Sequence, residues 1–181
     1  MANECCPVIK RNVDLFNQES KHFIIDHIDT PAGKIPKITH KLIMKDHFGA
    51  WKARWGVRRM KYAVLPGIYA IGNPTAISPV FVSANYKMSF DVLRRELEGI
   101  DCWILVLDTK GINVWCAAGK GTFGTKELIS RIKVTELEKI IFRKKLIVPQ
   151  LGAVGISAHE VQKATRSEEH TSELQSRIPI S

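Results

Sequence analysis

The chain has 181 residues, 45% of them hydrophobic and 25% charged, and a formal net charge of +9 at pH 7. That length supports one globular domain with its own core and leaves little room for a second. Its four cysteines are too few and too irregularly spaced for a disulfide framework, and no signal peptide precedes them, which fits a reducing compartment. No window approaches the ~18 consecutive apolar residues of a membrane-spanning helix.

Residues 1–50 mix charges with weak periodicity and carry turn signals at Pro31-Ala-Gly33 and Pro36. They read as a leader with a short hairpin around Phe23 to Ile38. The pair Cys5-Cys6 offers two soft sulfurs to a thiophilic cation, or is an ordinary terminal pair. Between Lys45 and Lys61 lies the densest basic patch, where Lys45, Lys52, Arg54, Arg58, Arg59 and Lys61 interleave with Trp51 and Trp55. Such a patch forms a solvated amphipathic face, or touches a cofactor, a partner or membrane headgroups. No nucleic-acid module surrounds it, so nucleic acid is not an expected partner.

From Pro66 the pattern sharpens. Gly67 to Ile71 and Val80 to Ser83 are short apolar runs bounded by Gly, Pro and Asn, the mark of strands. Ser89 is placed to cap a helix through Glu98 that Gly99 stops, with Phe90, Leu93 and Leu97 on one face. Cys102-Trp-Ile-Leu-Val-Leu107 is a continuous apolar run, predicting a central strand buried on both faces. Thr125 can cap the next helix, with Leu128, Ile129 and Ile132 inward, and Thr135-x-x-Glu138 has the capping-box form for a further short one. A strand at Leu146 to Val148 and a helix from His159 to Ala164 follow. The alternation predicts a Rossmann-like α/β domain, with a mostly parallel sheet flanked by helices.

Arg166-Ser-Glu-Glu-His-Thr-Ser-Glu-Leu-Gln-Ser176 has no apolar period and is similar to a translated sequencing adapter. The expected organisation is therefore a leader over residues 1–50, an α/β domain over 51–165 that is incomplete at its C-terminus, and a non-native tail over 166–181. Without that tail, two arginines and three glutamates go and the charge rises from +9 to +10.

In such sheets ligands bind beyond the carboxyl ends of the strands. The stretch from Asp108 to Thr125 leaves the strongest strand at that end and is the first candidate site. Three chemistries compete for it. Gly119-Lys-Gly121-Thr-Phe-Gly124 fits G-x-G-x-x-G, but about ten residues separate it from the strand that a dinucleotide fingerprint should follow directly. Cys116 could act as a nucleophile, yet no histidine lies near it in sequence. It could instead ligate a metal through its soft sulfur, or simply be a small packed residue.

A resemblance favours the metal. Asn113-Val-Trp-Cys-Ala-Ala-Gly-Lys120, extended through Gly121 and Thr122 to Thr125, is similar to the signature of the corrinoid protein of microbial mercury methylation. Arg54-Trp-Gly56, Pro66-Gly-Ile-Tyr-Ala70, Ala84-Asn-Tyr-Lys87, Trp103 to Thr109 and Pro149-Gln-Leu-Gly152 resemble the same family, which has proline where Val154 stands. A more distant resemblance, to the corrinoid-binding domain of the acetyl-CoA-pathway iron-sulfur protein, covers the same region without an expected cysteine ligand.

The first resemblance implies a cobalamin-type corrinoid, no iron-sulfur cluster in this chain, and the Cys116 thiolate as lower cobalt ligand and catalytic centre. It implies that Asn113, Val114, Trp115, Ala117, Ala118, Gly119, Lys120, Gly121 and Thr122 shape the cofactor-binding segment. Ser83, Asn85, Asp108, Thr109 and Gly111, at strand ends, are further cofactor-binding candidates, although Asp108 and Thr109 also suit an ordinary turn. The implied reaction moves a methyl group from a folate-linked donor through cobalt to Hg(II), with a ferredoxin-like iron-sulfur protein as reductant. The implied location is a cytoplasmic domain anchored in the cytoplasmic membrane by a further C-terminal region. The alternatives are a methyl-carrier corrinoid protein of the reductive acetyl-CoA pathway and a nonenzymatic nucleotide-binding module.

Overall fold

The computed structural model describes residues 22–55, 62–142 and 145–165. Cys5, Cys6, Arg58, Arg59, Lys61 and the adapter-like tail lie outside them.

Six strands form one sheet: β1 (Ile24–Thr30), β2 (Gly33–Ile38), β3 (Gly67–Ile71), β4 (Val80–Ala84), β5 (Cys102–Leu107) and β6 (Leu146–Ile147), in the spatial order β1-β2-β3-β5-β4-β6. The helices are α1 (Met44–Arg54), α2 (Lys87–Glu96), α3 (Val114–Gly119), α4 (Thr125–Val134), α5 (Leu137–Ile140), α6 (Gln150–Ala153) and α7 (Ala158–Thr165). The α/β class expected from the sequence is what is found. The pairings β2/β3, β4/β5 and β4/β6 are parallel, whereas β1/β2 and β3/β5 are antiparallel, so the sheet is mixed. The expected hairpin is β1–β2, and its β2 edge joins the same sheet through β3.

All six residues of β5 are buried, as a strand covered on both faces requires. Side chains alternate across a strand, so Trp103, Leu105 and Leu107 enter one core with Phe123, Leu128 and Ile132, while Cys102, Ile104 and Val106 enter the other with Phe23, Tyr69 and Phe90. The first core lies under α4, α5 and α7, and the second under α2.

Three helix starts differ from the sequence expectations, each because backbone geometry outweighs side-chain propensity. Helix α2 begins at Lys87 with Tyr86 as its N-cap, two residues ahead of Ser89, because the chain turns directly off β4. Gly124 caps α4, and the Thr125 hydroxyl instead accepts the Ser157 N–H at 2.8 Å. Thr135 closes α4, with its hydroxyl donating to the Arg131 carbonyl at 2.8 Å, and Glu136 at φ 47 precedes α5, so no capping box forms.

On the α2 side a buried ionic cluster locks α1 to α2. Lys87 Nζ reaches Asp46 Oδ1 at 2.8 Å and Asp91 Oδ2 at 2.6 Å. Arg94 reaches Asp46 Oδ2 and Asp91 Oδ1, each at 2.8 Å, and donates to the Thr39 and Lys41 carbonyls. His22 Nε2 stands 2.6 Å from Asp46. Two buried carboxylates thus face two buried cations, and the fork of Arg94 is filled, the arrangement that offsets the cost of taking charges out of water. Asp46 also accepts the Ile43 N–H, capping α1 from its first turn.

Candidate functional site

Strands β4, β5 and β6 are mutually parallel, with Ala84 beside Leu107, so their carboxyl ends share one edge. The segments leaving that edge build the candidate site. Asn85, directly after β4, is buried and directs its Oδ1 into the loop after β5. There it accepts the backbone N–H of Thr109 at 3.1 Å and of Gly111 at 3.0 Å, and lies 2.8 Å from the Thr109 hydroxyl. That hydroxyl is also 2.6 Å from the Ile112 carbonyl and can donate to one of the two acceptors. Asn85 Nδ2 donates to Asp108 Oδ1 at 3.3 Å.

Asp108 closes the turn on its own backbone. Its Oδ1 accepts the Lys110 N–H at 3.0 Å and its Oδ2 pairs with Lys110 Nζ at 2.6 Å. Lys110 at φ 58 is a non-glycine residue in the left-handed region, and Gly111 at φ 71 follows it, so Asp108 holds a backbone that costs energy. Burial acts to raise the Asp108 carboxyl, but bonds from Lys110 outweigh it, and the group titrates below its ordinary range. Glu127 on α4 accepts the Asp108 N–H at 2.9 Å and pairs with Arg131 at 2.7 Å, tying α4 to the end of β5.

This clamped loop launches α3. Asn113 is its N-cap, with Oδ1 accepting the Cys116 N–H at 2.9 Å. The single helical turn is two-sided: Ala117 is buried, with Val114 and Ala118 packed against the core, while Trp115, Cys116, Gly119 and Lys120 are exposed. Trp115 is 68% exposed, so the tryptophan faces outward from the core. A Cβ at Gly119 or Gly121 would meet nothing within 4 Å, which leaves the backbone open to a large flat group. Gly121 at φ 74 turns the chain so that Phe123 is buried.

The inner side of α3 rests on α6, and here glycine decides the fit. A Cβ at Gly152 would overlap the Phe123 ring and crowd Val114, and one at Gly155 would overlap the Phe123 carbonyl. Sequence inspection missed Gly155. Its signal is faint, because nothing local distinguishes a glycine needed for close approach from one in a turn. Leu151 and Val154, on and after α6, are exposed, extending apolar surface beside α3.

The sequence-derived candidates therefore fall into two groups. Asn113, Val114, Trp115, Cys116, Ala117, Ala118, Gly119, Lys120, Gly121 and Thr122 form the α3 ledge and its exit. Asn85, Asp108, Thr109 and Gly111 form the hydrogen-bonded loop behind it, and Ser83 is buried within β4 with its hydroxyl near the Ala84 carbonyl at 3.3 Å. The glycine-rich run does not leave the N-terminus of α4 open for a phosphate, because Thr125 N–H donates to the Gly155 carbonyl at 3.2 Å and Glu127 stands in the first turn. Among the described residues no group of three His, Cys, Asp or Glu side chains could hold a metal ion. Cys116 stands alone there as a soft donor.

Fold and site thus define an α/β domain whose carboxyl edge carries an exposed ledge of small residues, an indole and a thiol. The family model for the CO dehydrogenase/acetyl-CoA synthase delta subunit matches residues 58–179, more than half of the chain, and the chain belongs to that family. Curated relatives are the acetyl-CoA decarbonylase/synthase complex subunits gamma of Methanopyrus kandleri, 34% identical over 104 residues, and of Archaeoglobus fulgidus, 31% identical over 97. That of Methanocaldococcus jannaschii is 32% identical over 97 residues. These matches cover 56%, 52% and 52% of this chain and 22%, 21% and 20% of the relatives, so the chain spans about a fifth of their length. The family is described by a delta subunit and the relatives by a gamma subunit.

These matches overturn the expectation of a mercury-methylation protein, and Hg(II) as substrate falls with it. The physical reason is that the Asn113-to-Lys120 motif encodes a cap, a one-turn helix and room for a bulky group. None of these specifies which molecule receives a methyl group. The expected membrane-anchored location is corrected as well: the relatives are named as subunits of the decarbonylase/synthase complex, and no helix among the described residues is long and apolar enough to cross a membrane.

Proposed function

We propose that this chain is the corrinoid-facing α/β part of a methyl-carrying subunit in an acetyl-CoA decarbonylase/synthase-type assembly. The observation that carries the reading is the exposed face of α3, where Trp115 and Cys116 are held outward by the Asn113 cap and the Asn85 loop. Family membership supports the corrinoid-facing reading, as does the resemblance to the corrinoid-binding domain of the acetyl-CoA-pathway iron-sulfur protein. That resemblance carries no expected cysteine ligand, so ligation by Cys116 is proposed from its exposed thiol alone. The donor set fits the group: a broad flat ring needs an open backbone, which Gly119 and Gly121 provide, and an exposed thiol is a donor suited to cobalt.

When bound, the corrinoid supplies a cobalt atom that accepts and releases a methyl group, while the protein supplies orientation and shielding. Trp115, Cys116 and Lys120 on the exposed side of α3 would hold the corrinoid, Trp115 through its apolar surface, Cys116 as a sulfur donor to the metal and Lys120 through its charge. Asn85, Asp108, Thr109 and Gly111 act one step back, fixing the loop from which α3 springs. A folate-linked methyl donor and a ferredoxin-like iron-sulfur reductant are the partners this role requires.

Titration of the chain with hydroxocobalamin, followed by its visible spectrum, tests the reading. Saturable binding is expected, with a spectrum that changes in Cys116→Ala. Gly119→Leu should fold, since open space surrounds that position, but should bind weakly because its side chain occupies the ring's approach. Absence of binding by the wild-type chain, or saturation by a nucleotide in place of the corrinoid, overturns it. An unchanged spectrum in Cys116→Ala removes cysteine ligation from the proposal.

A further inference from the structure

Helix α1 carries its apolar residues on the wrong side for a core. Its inward face holds Asp46, tied into the ionic cluster, buried Ala53, and Gly49 beneath the Tyr62 ring. Met44, Phe48, Trp51 and Trp55 point outward, each more than half exposed. Phe48 and Trp51 meet edge to face at 6.4 Å, and the Trp51 and Trp55 rings are 5.1 Å apart, so the aromatic side chains form one ridge along the helix.

The spacing is i, i+4, i+7, i+11, and at 100° per residue the four positions fall within about 60° of one another. That is the narrow a/d seam of a paired helix, whereas a helix packed on a core presents a face of 100° or more. A helix lying in a lipid interface needs a strongly polar face opposite its apolar one, and the opposite side of α1 is packed on the domain through Asp46, Gly49 and Ala53. The flanking e and g positions are Lys45 and Lys52 on one side and His47 and Arg54 on the other, all exposed. Both borders of the seam are basic, with no carboxylate among them.

We propose that this ridge docks an amphipathic helix of a partner protein whose own apolar seam is bordered by carboxylates. Charge complementarity selects the occupant. A second copy of this chain would set Lys45, Lys52 and Arg54 against the same cations in either orientation, which disfavours self-pairing. The ionic cluster behind the helix fixes its position on the domain, so the ridge is presented rigidly and binding orders little of it. The ridge belongs to α1, remote in sequence from α3, and the proposal does not rest on corrinoid binding.

Two designed helical peptides serve as probes. Both carry leucine and isoleucine at a and d, one with glutamate at every e and g position and the other with lysine. Each is titrated against the full 181-residue chain, with tryptophan emission and calorimetry as readouts. The glutamate peptide should blue-shift the emission and bind at least about tenfold more tightly than the lysine peptide, the preference that ion pairs of ordinary strength at Lys45, Lys52 and Arg54 supply. The double variant Phe48→Ala/Trp51→Ala should lose binding while keeping its circular dichroism and melting midpoint, since both side chains are exposed. The charge-reversed Lys52→Glu/Arg54→Glu variant should prefer the lysine peptide. Equal affinity for both peptides, binding retained without the ridge, or a blue shift produced by phosphatidylserine vesicles and by neither peptide would overturn the proposal.

Discussion

Asn85 is the single side chain on which the geometry of the candidate site most depends, and Asn85→Ala is the test. The Oδ1 of Asn85 receives two buried backbone N–H groups, from Thr109 and Gly111, and stands beside the Thr109 hydroxyl. Removing it leaves the hydroxyl served, because it can turn to the Ile112 carbonyl. The two amides have no such substitute. An orphaned buried donor costs about 1–3 kcal/mol, and water entering the space left by the side chain offsets part of that. The expected loss is about 2–4 kcal/mol in urea denaturation followed by circular dichroism. A domain of this size loses about 2–4 °C in melting midpoint per kcal/mol, so a fall of roughly 4–16 °C is expected. Thr109→Val, which removes only the hydroxyl, should cost about 1 kcal/mol. A loss below about 1 kcal/mol in Asn85→Ala would refute the view that this residue clamps the loop.

Further outcomes follow from other parts of the fold. Burial acts to raise the Asp46 carboxyl, yet hydrogen bonds from Lys87, His22 and the Ile43 amide prevail and hold it well below the usual carboxylate range. Its stabilisation is therefore complete above the unfolded value of about 4 and is lost as pH falls through the lower folded value, so Asp46→Asn should flatten the acid side of the stability profile. The same substitution should cost about 3–5 kcal/mol at neutral pH, measured by denaturation, because Lys87 and Arg94 then share Asp91 as their one remaining carboxylate. Gly155→Ala should cost about 1–3 kcal/mol, since the atom it would strike is a backbone carbonyl that no rotamer change can move. Burial pushes the Cys102 thiol up to about 12, with Asp101 adding to the effect. In a Cys5→Ser/Cys6→Ser background, peptide mapping after iodoacetamide at pH 8 should find native modification at exposed Cys116 and not at Cys102.

The sequence by itself determined the elements whose signal is local. The apolar run from Cys102 to Leu107 announced a strand covered on both faces, and the bounded runs at Gly67 and Val80 announced its neighbours, because burial on two sides leaves no polar position to disguise. Trp115 and Cys116 among small residues, just before a glycine-rich turn, marked a special segment at the carboxyl end of that strand. The helix α3 and its Asn113 cap were not among the expected elements, because so short a helix has no apolar period to read.

Tertiary structure alone decided what those segments meet. No local pattern relates Asp46 to Lys87 and Arg94, which lie far along the chain and become one ionic cluster only when α1 folds onto α2. That cluster also turned the aromatic ridge outward, against the apolar-inward rule by which a helix is oriented from sequence. Asn85 looked like one polar residue at a strand end. Parallel pairing of β4 with β5 brought it against Thr109 and Gly111 and made it the clamp for the loop that carries Cys116.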